Sequence, residues 1–161
     1  MIFLYAARES LKLPSKQALF KLNRLGMDIV VIYMFILIFV FSIPSLIEQL
    51  LAPSGLGSYL NIIFLIIYFF FFYYLPMTVF VFALISMIAY IGKGLAKMMN
   101  RKLHYSLLWK MCAFSTTAPL LIFTIVSVIF PLNMFMLGII LIYISLLLIK
   151  MITIYPKRKA T

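Results

Sequence analysis

An all-α, polytopic membrane protein is what this sequence predicts, and three observations carry the prediction. Hydrophobic residues make up 66% of the 161-residue chain and the mean hydropathy is +1.20, more apolar surface than a water-exposed domain of this size can carry. The 14 Lys and Arg fall in three clusters, divided by two long intervals without a basic residue. Those intervals hold apolar runs of the roughly 20 residues that a helix needs to cross a bilayer. Four such spans use up most of the length, which leaves no room for a large catalytic domain outside the membrane, and one domain is expected.

The clusters are Arg8, Lys12, Lys16, Lys21 and Arg24; Lys93, Lys97, Arg101, Lys102 and Lys110; and Lys150, Lys157, Arg158 and Lys159. If Gly26 to Gly92 and Met111 to Ile149 each cross the membrane and return, every basic residue faces the cytoplasm, as the positive-inside bias prefers. The expected plan is a basic amphipathic segment over 1–26 and a four-helix transmembrane domain over 27–155, with spans at about 27–51, 59–92, 111–130 and 134–155. A basic tail over 156–161 completes it, with both termini cytoplasmic and the protein in the cell membrane. The single cysteine, Cys112, excludes an internal disulfide and a cysteine-rich metal site, and it reads as a small packed residue.

Met1 to Leu25 lacks the apolar core of a signal peptide and is expected to stay on the mature protein. Pro14 interrupts it and Ser15 can cap a helix in which Ala18, Leu22 and Leu25 share one face while Lys16, Lys21 and Arg24 carry charge. That pattern predicts an interfacial helix with snorkelling cations. The first span, Met27 to Leu51, should kink at Pro44. Asp28 at its inner boundary is four residues from Arg24, where an ion pair is screened and weak. Glu48 lies near the outer boundary. Ala52 to Ser58 is a Pro, Ser and Gly turn without charge.

Tyr59 to Ile91 is uncharged and interrupted only by Pro76. As one helix it measures about 50 Å and has to tilt, kink at Pro76 or project from the bilayer. Splitting it at Tyr74 to Met77 would give five spans, but YYLPM has no glycine and no polar pair for a turn, so one long kinked helix is expected. Ala83, Ser86, Tyr90 and Gly94 form a face of mostly small residues, and Ala113, Thr117, Gly138 and Ser145 offer similar surfaces on the later spans; these are the expected packing seams. The aromatic tract Tyr68 to Tyr74 reads as lipid-facing or packed filler.

Lys93, Lys97 and Arg101 are spaced by four and, with Lys102, form a cationic stripe that would meet lipid phosphates where the helix enters the headgroup region. Tyr105 and Trp109 share a helix face and read as an interfacial anchor with Lys110 beside them. In the third span, Pro119 cannot donate to the carbonyl of Ser115, and Ser115, Thr116 and Thr117 stand ready to compensate, so a polar notch is expected there. Pro131 to Asn133 form the outer turn before the returning helix.

A basic amphipathic start, a long apolar helix, the run from Arg101 to Pro119 and a closing hairpin together resemble the Yip-domain superfamily. Within it the chain is most similar to an uncharacterised family of Gram-positive membrane proteins sometimes labelled maltodextrin-utilisation proteins. The residues that carry the likeness are Arg101, Lys102, Leu103, Tyr105, Leu108, Trp109 and Pro119. It implies a fold and a membrane-adaptor role, and no reaction. Members usually carry a sizeable segment between the first two spans, reduced here to Ala52 to Ser58, and a small hydroxyl residue where this chain has His104.

Catalysis needs convergent acids, bases, nucleophiles or metal ligands. One His, one Cys and 3 acidic residues, scattered over different depths, do not supply them, so neither an enzyme nor a cofactor is expected. A small-solute or lipid carrier would use the notch and Glu48. The reading preferred on sequence is a non-enzymatic adaptor, assembly or lipid-organising protein. Its expected partners are anionic membrane lipids and another membrane protein or a second copy. Nucleic acid is not expected, because no base-reading fold accompanies the charge.

Overall fold

The computed structural model describes residues 2–51, 61–101, 103–129 and 134–156, with backbone alone for 127–129 and 134–137. The expected turns at Ala52 to Ser58 and Pro131 to Asn133, Lys102 and the tail beyond Pro156 lie outside these residues. The described residues fold into helices: α1 Ile2–Ser10, α2 Lys16–Asn23, α3 Met27–Leu51, α4 Ile62–Phe69, a π-helical turn Phe70–Tyr74, α5 Leu75–Met98, α6 Tyr105–Ser115, α7 Thr117–Ile129 and α8 Met134–Ile154.

Among the described residues, three helices are long and apolar enough to cross a membrane: Met27–Leu51, Ile62–Met98 and Tyr105–Val126. The first has the boundaries expected from sequence and continues through Pro44. The second is one unbroken helix, built from α4, the π turn and α5. Pro76 offers no N–H to the carbonyl of Phe72 and its ring crowds that oxygen. The helix widens just before it, so that the Leu75 N–H donates to Phe70, which relieves the clash without ending the helix. Two boundaries differ from expectation: α5 runs on to Met98, and the third apolar helix starts at Tyr105 rather than 111, because Tyr105 to Lys110 are turns of the same helix.

α6 is the centre of the bundle. It packs against α5, α8, α3, α2 and α1, and Met111 to Thr117 are all buried. α3 runs antiparallel to α5, with ring contacts Phe35 to Phe82 at 5.3 Å and Phe39 to Tyr74 at 5.7 Å. It runs parallel to α6 and α7, with Tyr33 on Phe114 and Phe41 on Phe123, both at 5.6 Å. α8 returns antiparallel: Met151 borders a small cavity with Met111, and Tyr143 borders a cleft with Pro119.

The small-residue seam is not where the sequence placed it. Ala83, Tyr90 and Gly94 point outward, and a Cβ on Gly94 or Gly138 would meet nothing within 4 Å. The buried face of α5 is instead Ile85, Ile88, Ala89, Gly92 and Ala96, one residue further round the helix. Gly92 is the point of closest approach, where a Cβ would come within 2.6 Å of Leu148 Cδ2 on α8. Ala113 and Thr117 are buried as expected.

The amino-terminal segment is more integrated than an interfacial helix requires. α2 follows the sequence pattern: Ser15 caps it by accepting from the Ala18 N–H, and Ala18, Leu19 and Leu22 are buried. α1 packs on α2, α6, α3 and α7, and its buried residues are Ala6, Glu9 and Ser10, while Ile2, Leu4, Tyr5 and Leu11 are exposed. Arg8 is exposed on the same helix, so α1 turns apolar residues and a cation outward together, as a helix lying at a membrane interface does.

Candidate functional site

Two regions carry the residues singled out from sequence, and the first is the basic end of the bundle. The carboxyl-terminal turns of α5 hold Lys93 and Lys97, both exposed. Phe35 pairs with Phe82, so counting back eight residues on antiparallel helices puts Met27, the start of α3, level with about Tyr90; the rest of α5 rises about 12 Å further. The helix is closed by Asn100 in the left-handed conformation, φ 54°. Arg101 N–H donates to Ala96 at 2.8 Å and Asn100 N–H to Lys97 at 3.1 Å, the bond pair that satisfies terminal carbonyls in a Schellman ending. Arg101 is half-buried, and its Nε has no partner among the described residues. Lys102 lies outside those residues. The helix C-terminus adds partial negative charge beneath these cations, which favours their placement.

Tyr105 stands at the exposed margin of α6, but Trp109 does not share its surroundings. The indole is only 5% exposed; it lies parallel to the Phe82 ring at 5.7 Å and donates through Nε1 to Ser86 Oγ at 3.1 Å. The expected anchor is therefore split. Trp109 locks α6 to α5, because the same spacing of four that aligns it with Tyr105 also turns it toward the neighbouring helix once α6 occupies the centre. Lys110, expected beside the Tyr105 and Trp109 anchor, folds back to donate to the carbonyls of Asn23 at 2.8 Å and Leu25 at 3.0 Å, where a cation completes the end of α2.

The second region is the expected polar notch, and the structure adds a helix break there that the continuous span expected from sequence did not include. α6 ends at Ser115 and α7 begins at Thr117, three residues before the end of the first turn that contains Pro119. All three hydroxyls are buried and each has a partner. Ser115 donates to Met111 at 2.8 Å and Thr116 to Ala113 at 2.7 Å, while Thr117 Oγ1 lies 2.9 Å from the Tyr33 hydroxyl. Ser10 of α1 stands beside the same phenol. Tyr33 was not anticipated from sequence, since one tyrosine among 10 in the chain carries no local mark of facing a threonine 84 positions away.

Glu9, next to Ser10, is the buried acidic residue of the assembly. Its carboxylate meets Lys12 Nζ at 2.9 Å and Lys21 Nζ at 3.6 Å, so it clasps α1 to α2. The hydrogen bond from Lys12, with the charges of Lys12 and Lys21, holds its pKa below the ordinary 4.5, outweighing desolvation, which pushes the other way. The sequence signal was available in the Glu9 and Lys12 spacing of three, the neighbouring positions on one helix face. His104 is exposed at the start of α6 and makes no side-chain cap bond. Among the described residues no group of three or more His, Cys, Asp and Glu stands together.

The fold and its sites define a class: an all-helical protein with three described helices built to cross a membrane, a buried broken helix at the centre and cations gathered at one end. The chain belongs to the family described as "Protein of unknown function (DUF1189)", whose model matches residues 51–152. That match takes in the long helix, the basic turn, the notch and most of α8. No curated protein and no solved structure matches the chain.

Proposed function

We propose that this is a non-enzymatic membrane adaptor, assembly or lipid-organising protein of the cell membrane. It has four spans and cytoplasmic termini, and it works through its basic face. The observation that carries the reading is the projection of α5 past the start of α3 with Lys93 and Lys97 exposed upon it. Such cations are each worth about 1 kcal/mol against an anionic leaflet. Lys93, Lys97, Arg101, Lys102 and Tyr105 form the contact face, and Trp109 and Lys110 hold it in place from below. The likeness of Arg101 to Pro119 to the Yip-domain superfamily favours the same role. A carrier working through the notch would need polar groups free to receive a solute. Ser115, Thr116 and Thr117 already have partners within the protein, which weighs for the adaptor.

The test is purification in a mild detergent from native membranes, comparing the wild type with a Lys93→Gln, Lys97→Gln, Arg101→Gln variant. A membrane protein or acidic lipid held on the basic face of the wild type should be lost from the variant. It should also be lost as salt rises from about 0.1 to 1 M, which cuts the screening length from about 10 to 3 Å. A wild type that emerges with nothing enriched, yet moves a solute across liposomes by itself, would replace this reading with the carrier.

A further inference from the structure

A cleft of about 330 Å³ opens between α7 and α8, lined by Pro119, Ile122, Phe123, Val126, Ile140 and Tyr143, with Ile139 on its rim. We infer that it holds one acyl chain of an anionic phospholipid whose headgroup phosphate rests on Lys150. Three features carry this. The lining is apolar except for the Tyr143 hydroxyl, and its α7 wall belongs to the membrane-crossing helix Tyr105–Val126, so the medium that reaches it is hydrocarbon. Lys150 is exposed and lies seven residues from Tyr143, two turns along the same face of α8, which places the ammonium about 10 Å toward the basic end. The level is right for a phosphate, since Met151, the next residue, borders a cavity with Lys110 and Asn23. A second copy of the chain fits this surface poorly. The exposed residues beside the cleft are mostly bulky, Ile122, Ile125, Ile139 and Ile142, with Gly138 the single small one among the described residues, where close helix pairing in a membrane calls for small residues at repeated positions.

This site uses neither Lys93 nor Lys97 and stands apart from the function proposed above. It is tested by native mass spectrometry of the purified full chain in detergent mixed with phosphatidylglycerol or phosphatidylcholine. The wild type should retain one phosphatidylglycerol in preference to phosphatidylcholine. Lys150→Gln should cut that preference about fivefold, the ratio equivalent to about 1 kcal/mol per cation, and Lys150→Arg should keep it. Ile139→Trp, made at an exposed rim position that the fold tolerates, should block the cleft and lower retention of both lipids with an unchanged melting temperature. A wild type without preference for the anionic lipid overturns the inference. So does retention that survives Lys150→Gln and Ile139→Trp but is lost with Lys93→Gln and Lys97→Gln, since the lipid would then sit on the basic face.

Discussion

Gly92 and Gly138 are the same residue type on packed helices, and their surroundings give them opposite expectations. A side chain at Gly92 must displace buried Leu148, whereas one at Gly138 enters open space. Gly92→Leu should destabilise the protein by about 1–3 kcal/mol, the usual range for overpacking, and Gly138→Leu should stay within about 0.5 kcal/mol. Melting in detergent measures both, and equal shifts would refute the seam. Trp109 and Ser86 make a similar point. Trp109→Phe keeps an aromatic ring over Phe82 but strands the Ser86 hydroxyl, at a cost of about 1–3 kcal/mol. Neither contact could be located in advance: small residues were visible on several faces of α5, and only the position of α8 selects the face that needs them.

At the scale of elements, helix ends were partly legible. Ser15 was recognisable as a cap because a hydroxyl before a helical face has one obvious use. Asn100 was not, since its role depends on a left-handed backbone that the sequence only permits. His104 occupies the cap position of α6 without making the bond, so His104→Ser should raise stability by about 0.5–1 kcal/mol, read as a higher melting temperature. The clasp between α1 and α2 has its own pH dependence. Folding lowers the pKa of Glu9, so the unfolded chain takes up the proton more readily. The clasp's contribution is complete above about 4.5 and is lost as the pH falls through the folded value. The chain has 3 acidic residues, and Asp28 and Glu48 are exposed. The acid limb of a melting-temperature profile should therefore flatten in Glu9→Gln, and an unaltered limb would remove Glu9 from the account.

For the whole molecule, the proposed four-span arrangement predicts that residues at the basic end are reached from the cytoplasmic side alone. Cys112 is fully buried, so the native chain supplies a silent background for accessibility labelling. Asn100→Cys and Pro156→Cys should react with an impermeant maleimide in inverted vesicles and stay unlabelled in intact cells. Labelling of Asn100→Cys from outside would put the basic turn on the other side and demand an odd number of crossings before it. The relation of α3 to α6 and α7 can be tested by a double-mutant cycle on Tyr33→Phe and Thr117→Val. The expected coupling is about 0.6 kcal/mol, the average for hydrogen bonds between membrane helices.

Sequence by itself determined the class, the first long helix to the residue and the continuity of the second through Pro76. These depend on local quantities: apolar run length against bilayer thickness, and the lack of a glycine or polar pair at YYLPM to turn the chain. Tertiary structure alone decided that α6 is the centre, that Trp109 is buried while Tyr105 is not, that Gly92 rather than Gly94 or Gly138 is the close approach, and that α1 turns Glu9 and Ser10 inward. The reason is that nearly every face of such an apolar chain is acceptable to lipid or to protein. Hydrophobicity places a residue in the membrane but does not say which way it points, and that choice is made by the helix that packs beside it.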